Sequence, residues 1–151
     1  GTIFPEHAEE IWQHFKTVEI AFSIDDIGER FEYQRTNARW NEVEENIKKF
    51  FALKRYLPNI IQLQVCTTVN VFNIRYLDQV AQWNAGHAFD FVYWNIMHDA
   101  WYFSIATLPD PVKTELDLFL KTCEIRDLDQ KRNQNFATHH LEMAELIGYS
   151  L

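Results

Sequence analysis

The chain has 151 residues, 47% of them hydrophobic and 15% aromatic, with four Gly, four Pro and a net charge of −8. This length suits one domain, the apolar content excludes a disordered chain, and the scarcity of Gly and Pro argues against a turn-rich all-β fold. The acidity, with no basic stripe, excludes a nucleic-acid phosphate binder, and no run of about 18 apolar residues offers a membrane span.

In chain order, Glu6–Phe15 reads as a short helix after Pro5, with Ile11, Trp12 and Phe15 on its apolar side. Val18–Ile24 alternates with period two and is expected to be a strand; Asp25–Thr36 is expected to be a polar loop. Arg39–Leu57 is the clearest helix. Trp40, Val43, Ile47, Phe50 and Phe51 recur at helical spacing, and Glu42, Glu44 and Glu45 precede Lys48, Lys49, Lys54 and Arg55, an order that complements the macrodipole. Asn37 is its expected cap and Pro58 its stop. Ile60–Val71 is the second strand, Asn73 the expected cap of a helix over Ile74–Asn84, and Phe89–Ile96 the third strand. Trp101–Ala106 offers a short extra strand, Asp110-Pro111 opens a helix to about Cys123, and Asn133–Ile147 is a final helix in a tail spanning 131–151.

Helical segments separate the three strands, so the strands are expected to run parallel and to gather their functional groups at their carboxyl ends. Strand starts fall 42 and 29 residues apart, which suits βα units. A doubly wound sheet covers both faces and reads as continuous apolar runs. Glu19, Gln62 and Gln64 break that pattern, and a polar lumen does not. The expected fold is therefore α/β, with residues 1–130 forming part of a TIM-like barrel from about three parallel strands flanked by helices.

The stretch FSIDDIGERFEYQRTNARWNEVEENIKKF resembles a strand, loop and helix of radical S-adenosylmethionine (SAM) enzymes of the twitch and SPASM branch. TTVNVFNIRYLDQVAQW resembles the next strand and helix, and WYFSIATLPDPVKTELDLFL a later segment, so the likeness runs over most of residues 11–130. The resemblance implies a partial βα barrel binding SAM and a [4Fe–4S] cluster, with Ser23, Asp25 and Arg35 at the SAM ribose and carboxylate. Thr68, Asn70, Tyr93 and Asn95 end the next two strands toward the same presumed lumen, where Tyr93 could stack on a base and Asn95 read its edge. Arg35 offers a planar fork suited to a carboxylate.

The chain lacks the C-x3-C-x2-C motif that holds the cluster; Cys66 and Cys123 stand 57 residues apart. It is therefore expected to be the C-terminal half of such a barrel, inactive alone, with no cofactor bound. The alternative is a non-catalytic α/β module that pairs through exposed edge strands or with a missing half-barrel, as a homo-oligomer. The segment GTIFPEHAEE lacks signal-peptide features and the cysteines read as reduced thiols, so a cytoplasmic location is expected. Capping and ion pairing are the plain alternatives for Ser23, Asp25 and Arg35. His139-His140 with Glu142 lacks the i, i+4 spacing of a zinc helix, and His98-Asp99 are neighbours that do not face each other. Glu19 is expected to be buried and in want of a partner.

Overall fold

A computed structural model describes residues 3–97 and 99–122. The expected helix over Asn133–Ile147, the 131–151 tail, Cys123, His98 and the His139-His140 pair lie outside the described residues. Eight regular elements follow in order: α1 (Ala8–Trp12), β1 (Val18–Ser23), α2 (Gly28–Gln34), α3 (Trp40–Tyr56), β2 (Ile61–Val69), α4 (Leu77–Ala85), β3 (Phe91–Ile96) and α5 (Asp110–Thr122). The strands form a single parallel sheet in the order β1-β2-β3, with Val18 opposite Ile61 and Gln64 opposite Phe91.

The period-two pattern sorts residues as its parity predicts. Phe22, Leu63, Val65, Val92 and Trp94 are buried on one face, beneath helices whose apolar stripes supply Val43, Ile47, Phe50, Val80 and Leu116. Phe22 meets the Phe50 ring edge-on at 5.3 Å, which seats α3 directly on β1. The opposite face carries Glu19, Ala21, Ser23, Gln62, Gln64, Cys66, Thr68, Tyr93 and Asn95 together with the exposed Phe91, and among the described residues it stays open or half-open. An all-parallel sheet is ordinarily covered on both sides, so a bare polar face is its least usual feature.

Several expectations change. Asp25–Thr36 is not a loop throughout: Gly28, at φ 61, turns the chain into the seven-residue α2, whose Phe31 is buried against Trp40. Asn37 does not cap α3. It sits in the left-handed region at φ 66, and the Trp40 N–H is taken instead by Oε1 of Glu32 in α2, at 2.7 Å. Trp101–Ala106 forms two 3-10 turns, Trp101–Phe103 and Ile105–Thr107, in place of a strand. The first helix keeps only Ala8–Trp12, because Ile11 and Phe15 stay more than half exposed and bury too little to extend a single turn.

Asn73 precedes a 3-10 turn, Ile74–Tyr76, and its side chain does not cap it. Fully buried, it donates to the carbonyls of Asp25 (2.7 Å) and Thr68 (2.8 Å) and accepts the Asn70 N–H (2.8 Å). One amide thus ties the ends of β1 and β2 to the connection that follows. Asn73→Ala would orphan the Asp25 carbonyl and the Asn70 N–H and leave the Thr68 carbonyl only the longer bond from Asn70 Nδ2, and each buried unsatisfied group costs on the order of 1–3 kcal/mol. We expect the variant to lose about 3 kcal/mol in urea unfolding; a loss below about 1 kcal/mol would refute the brace.

Candidate functional site

Strand register builds the candidate site row by row on the open face. Ser23, Cys66 and Tyr93 are directly opposed across the three strands, and Thr68 and Asn95 form the next row toward the carboxyl ends. Ser23 and Asn95 are exposed, while Cys66, Thr68 and Tyr93 are half-exposed. The Asn95 amide donates to Cys66 Sγ at 2.9 Å, so the two residues form one unit on the face. Burial, and after it the Asp25 carboxylate, pushes the Cys66 thiol above its ordinary range; the Asn95 bond opposes this without winning. The raised value disfavours the thiolate, which is the nucleophilic form.

Beyond the last row lies a polar knot. Asp25 Oδ1 accepts the Thr68 N–H at 3.0 Å, and Oδ2 accepts from Nε and Nη2 of Arg35 at 3.0 and 2.5 Å. Arg35 is the residue that ends α2, so the helix absent from the sequence reading is what delivers it to the strand ends. Asn70, by contrast, is withdrawn from the face. Its Nδ2 donates to Gln34 Oε1 and the Thr68 carbonyl, its Oδ1 accepts the Phe72 N–H, and the residue is 5% exposed. The structure therefore brings Ser23, Thr68, Tyr93 and Asn95 together on one face, sets Asp25 and Arg35 as an ion pair at its end, and assigns Asn70 to holding the connection.

Sequence reasoning missed Thr67, Asp26 and the bracing role of Asn73. Thr67 Oγ1 donates to the Ile24 carbonyl at 2.7 Å from the buried face, sewing β2 to β1 beyond the last ladder rung. Its signal was available: a Thr where the buried parity calls for an aliphatic residue. Asn70 and Asn73, three apart, also fit a local side-chain-to-backbone turn. Glu19 is exposed, with Gln64 Nε2 reaching its Oε2 at 3.5 Å, so it needs no buried partner.

Among the described residues no three His, Cys, Asp or Glu side chains gather to hold a metal, and no helix is long and apolar enough to cross a membrane. Comparison with family models, with curated proteins and with solved structures finds no match. Fold and site thus define the chain by architecture: an α/β protein whose three-stranded parallel sheet has one face that no described element covers.

Asp26 is the one fully buried carboxylate in the region. Arg30 Nε bonds both its oxygens at 3.0 Å and the Ile27 N–H bonds Oδ1 at 2.8 Å, yet burial outweighs them and raises its pKa above the ordinary 3.8. A raised acid pKa means the folded state holds the proton longer than the unfolded chain, so Asp26 costs stability as pH climbs from about 3.8 through the raised value. Asp26→Asn removes that slope. Urea unfolding across pH 4 to 7 should show the variant gaining on wild type as pH rises, and a constant or shrinking difference would contradict the burial effect.

Proposed function

We propose that this chain forms one half of a radical SAM-type βα barrel and supplies one wall of a SAM pocket. The open sheet face carries the reading. Three parallel strands bury one side and present on the other an in-register set of hydroxyl, amide and phenol groups at their carboxyl ends. A barrel gives such a face a lumen, and its ligands gather at that end of the strands. On this reading the Ser23 hydroxyl and the Asn95 amide hydrogen-bond the ribose and base edge, the Tyr93 ring offers a stacking surface, and Arg35 receives the amino-acid carboxylate. Asp25 acts through Arg35 by fixing its guanidinium, and Thr68 contributes by holding Asp25. These donor types suit a nucleoside joined to an amino acid.

The cluster is a different matter. Two cysteines 57 residues apart and no metal-holding group among the described residues do not fit a [4Fe–4S] centre, so no step through one is derived. SAM cleavage would need cluster ligands from outside these 151 residues. The test is SAM binding by equilibrium dialysis in a protein that joins this segment to a cluster motif. A lost charge-assisted hydrogen bond is worth about 1.5–3 kcal/mol, so Arg35→Ala should weaken binding roughly tenfold or more, and Arg35→Lys less. Unchanged affinity in a folded Arg35→Ala variant sinks the role.

One observation favours a second reading, a non-catalytic oligomeric module. β1 and β3 are the outer strands of the described sheet, and unpaired strand edges recruit other chains. Pairing of two copies would cover the bare face as well. Light scattering of the isolated chain at micromolar concentration should then give twice the monomer mass; a monomer only contradicts this reading.

A further inference from the structure

We propose that the groove between the C-terminal half of α3 and the α4–β3 connection binds a small planar anion, of the aryl carboxylate or sulfonate class. It lies at the amino ends of the strands, away from the face argued above, and does not depend on that reading. The groove encloses about 660 Å³, within the range of small-ligand sites.

Its floor is aromatic. The Phe51 and His87 rings lie nearly parallel, 28° apart at 6.0 Å, and His87 stacks in turn on the buried Phe89 at 5.6 Å and 29°. The imidazole is pinned: Nδ1 lies 2.8 Å from the Trp83 carbonyl, and a carbonyl only accepts, so Nδ1 carries the proton. Ala52 and Pro58 add exposed apolar walls. A flat apolar body can therefore lie along a preformed surface without reordering it.

The rim fixes the charge of the ligand. Lys48, Lys54 and Arg55 line the groove, and among the described residues no carboxylate does. Four of the 14 Lys and Arg residues fall within Lys48–Arg55, in a chain of net charge −8. Lys48 is paired with Glu45 at 2.8 Å and Lys54 with both oxygens of Asp90. Arg55 has no ion-pair or hydrogen-bond partner among the described residues. One unpaired planar fork matches one carboxylate or sulfonate. A polyanion would have to draw Lys48 and Lys54 from partners they already hold.

Two fluorescent probes separate the floor from the rim in the full chain: 8-anilinonaphthalene-1-sulfonate and its uncharged relative N-phenyl-1-naphthylamine. Wild type should bind the sulfonate at one site, roughly tenfold tighter than the neutral probe, as one charge-assisted bond predicts. Arg55→Gln should erase that preference while sparing the neutral probe. Ala52→Trp, at an exposed helix position, should fill the groove and weaken both probes about tenfold, with circular dichroism confirming that each variant folds. Equal affinity of wild type for the two probes, no saturable binding, or full sulfonate binding in folded Ala52→Trp would each overturn the proposal.

Discussion

A parallel ladder ends abruptly, and the backbone groups just past its last rung must find partners that no strand supplies. Here the side-chain amide of Asn73 does so for both β1 and β2, bonding the Asp25 and Thr68 carbonyls while receiving the Asn70 N–H. Much of the polar architecture rests on that brace. With the Asp25 backbone fixed, its carboxylate can receive the Thr68 N–H on one oxygen and Arg35 on the other. With Thr68 fixed, Asn70 can turn inward to Gln34 and Phe72. Bonds from Asn73, Thr68 and Arg35 thus join the ends of β1, β2 and α2 to the connection that follows β2.

The sheet above this knot is asymmetric in a way its composition explains. Aliphatic and aromatic residues at one parity meet the stripes of α3, α4 and α5, and hydroxyl, amide and thiol groups at the other parity find no described element over them. A solvated face is ordinary for an antiparallel sheet and unusual for a parallel one, since βα crossovers normally bring helices to both sides. Either a lumen or a second protein surface satisfies such a face, and the two readings differ in what chemistry they put there. On that face the row of Ser23, Cys66 and Tyr93 is in register, with the exposed Phe91 ring stacked on Tyr93 beside it.

What the sequence made legible was set by the range of the interaction responsible. Strand parity depends on residues two apart, and the three strands, their direction and their buried face read correctly from Val18, Ile61 and Val92 onward. The long helix α3 read correctly for the same reason. Its cap did not, because the group that satisfies the Trp40 N–H comes from Glu32 eight residues back, and no local cap rule points there. Helix α2 was hidden by charge: GERFEYQ carries one deeply buried side chain, Phe31, and gives no apolar stripe to detect. Of the site, the rows on the open face were legible from parity plus parallel direction. The engagement of Asn70 was not, since a contact 36 residues apart follows from packing rather than pattern, while the pairing of Arg35 with Asp25 was legible only as the plain alternative to a ligand role.

The bond from Glu32 to Trp40 makes two helices into one opening unit. Phe31 and Trp40 meet edge-on at 5.1 Å beside that bond, so unwinding α2 would strip the first turn of the 17-residue α3 of both an N–H acceptor and its aromatic neighbour. Opening of α2 would therefore expose the amides at the start of α3 as well. Because Arg35 leaves from the end of α2, anything that engages its guanidinium also steadies the longest helix of the chain.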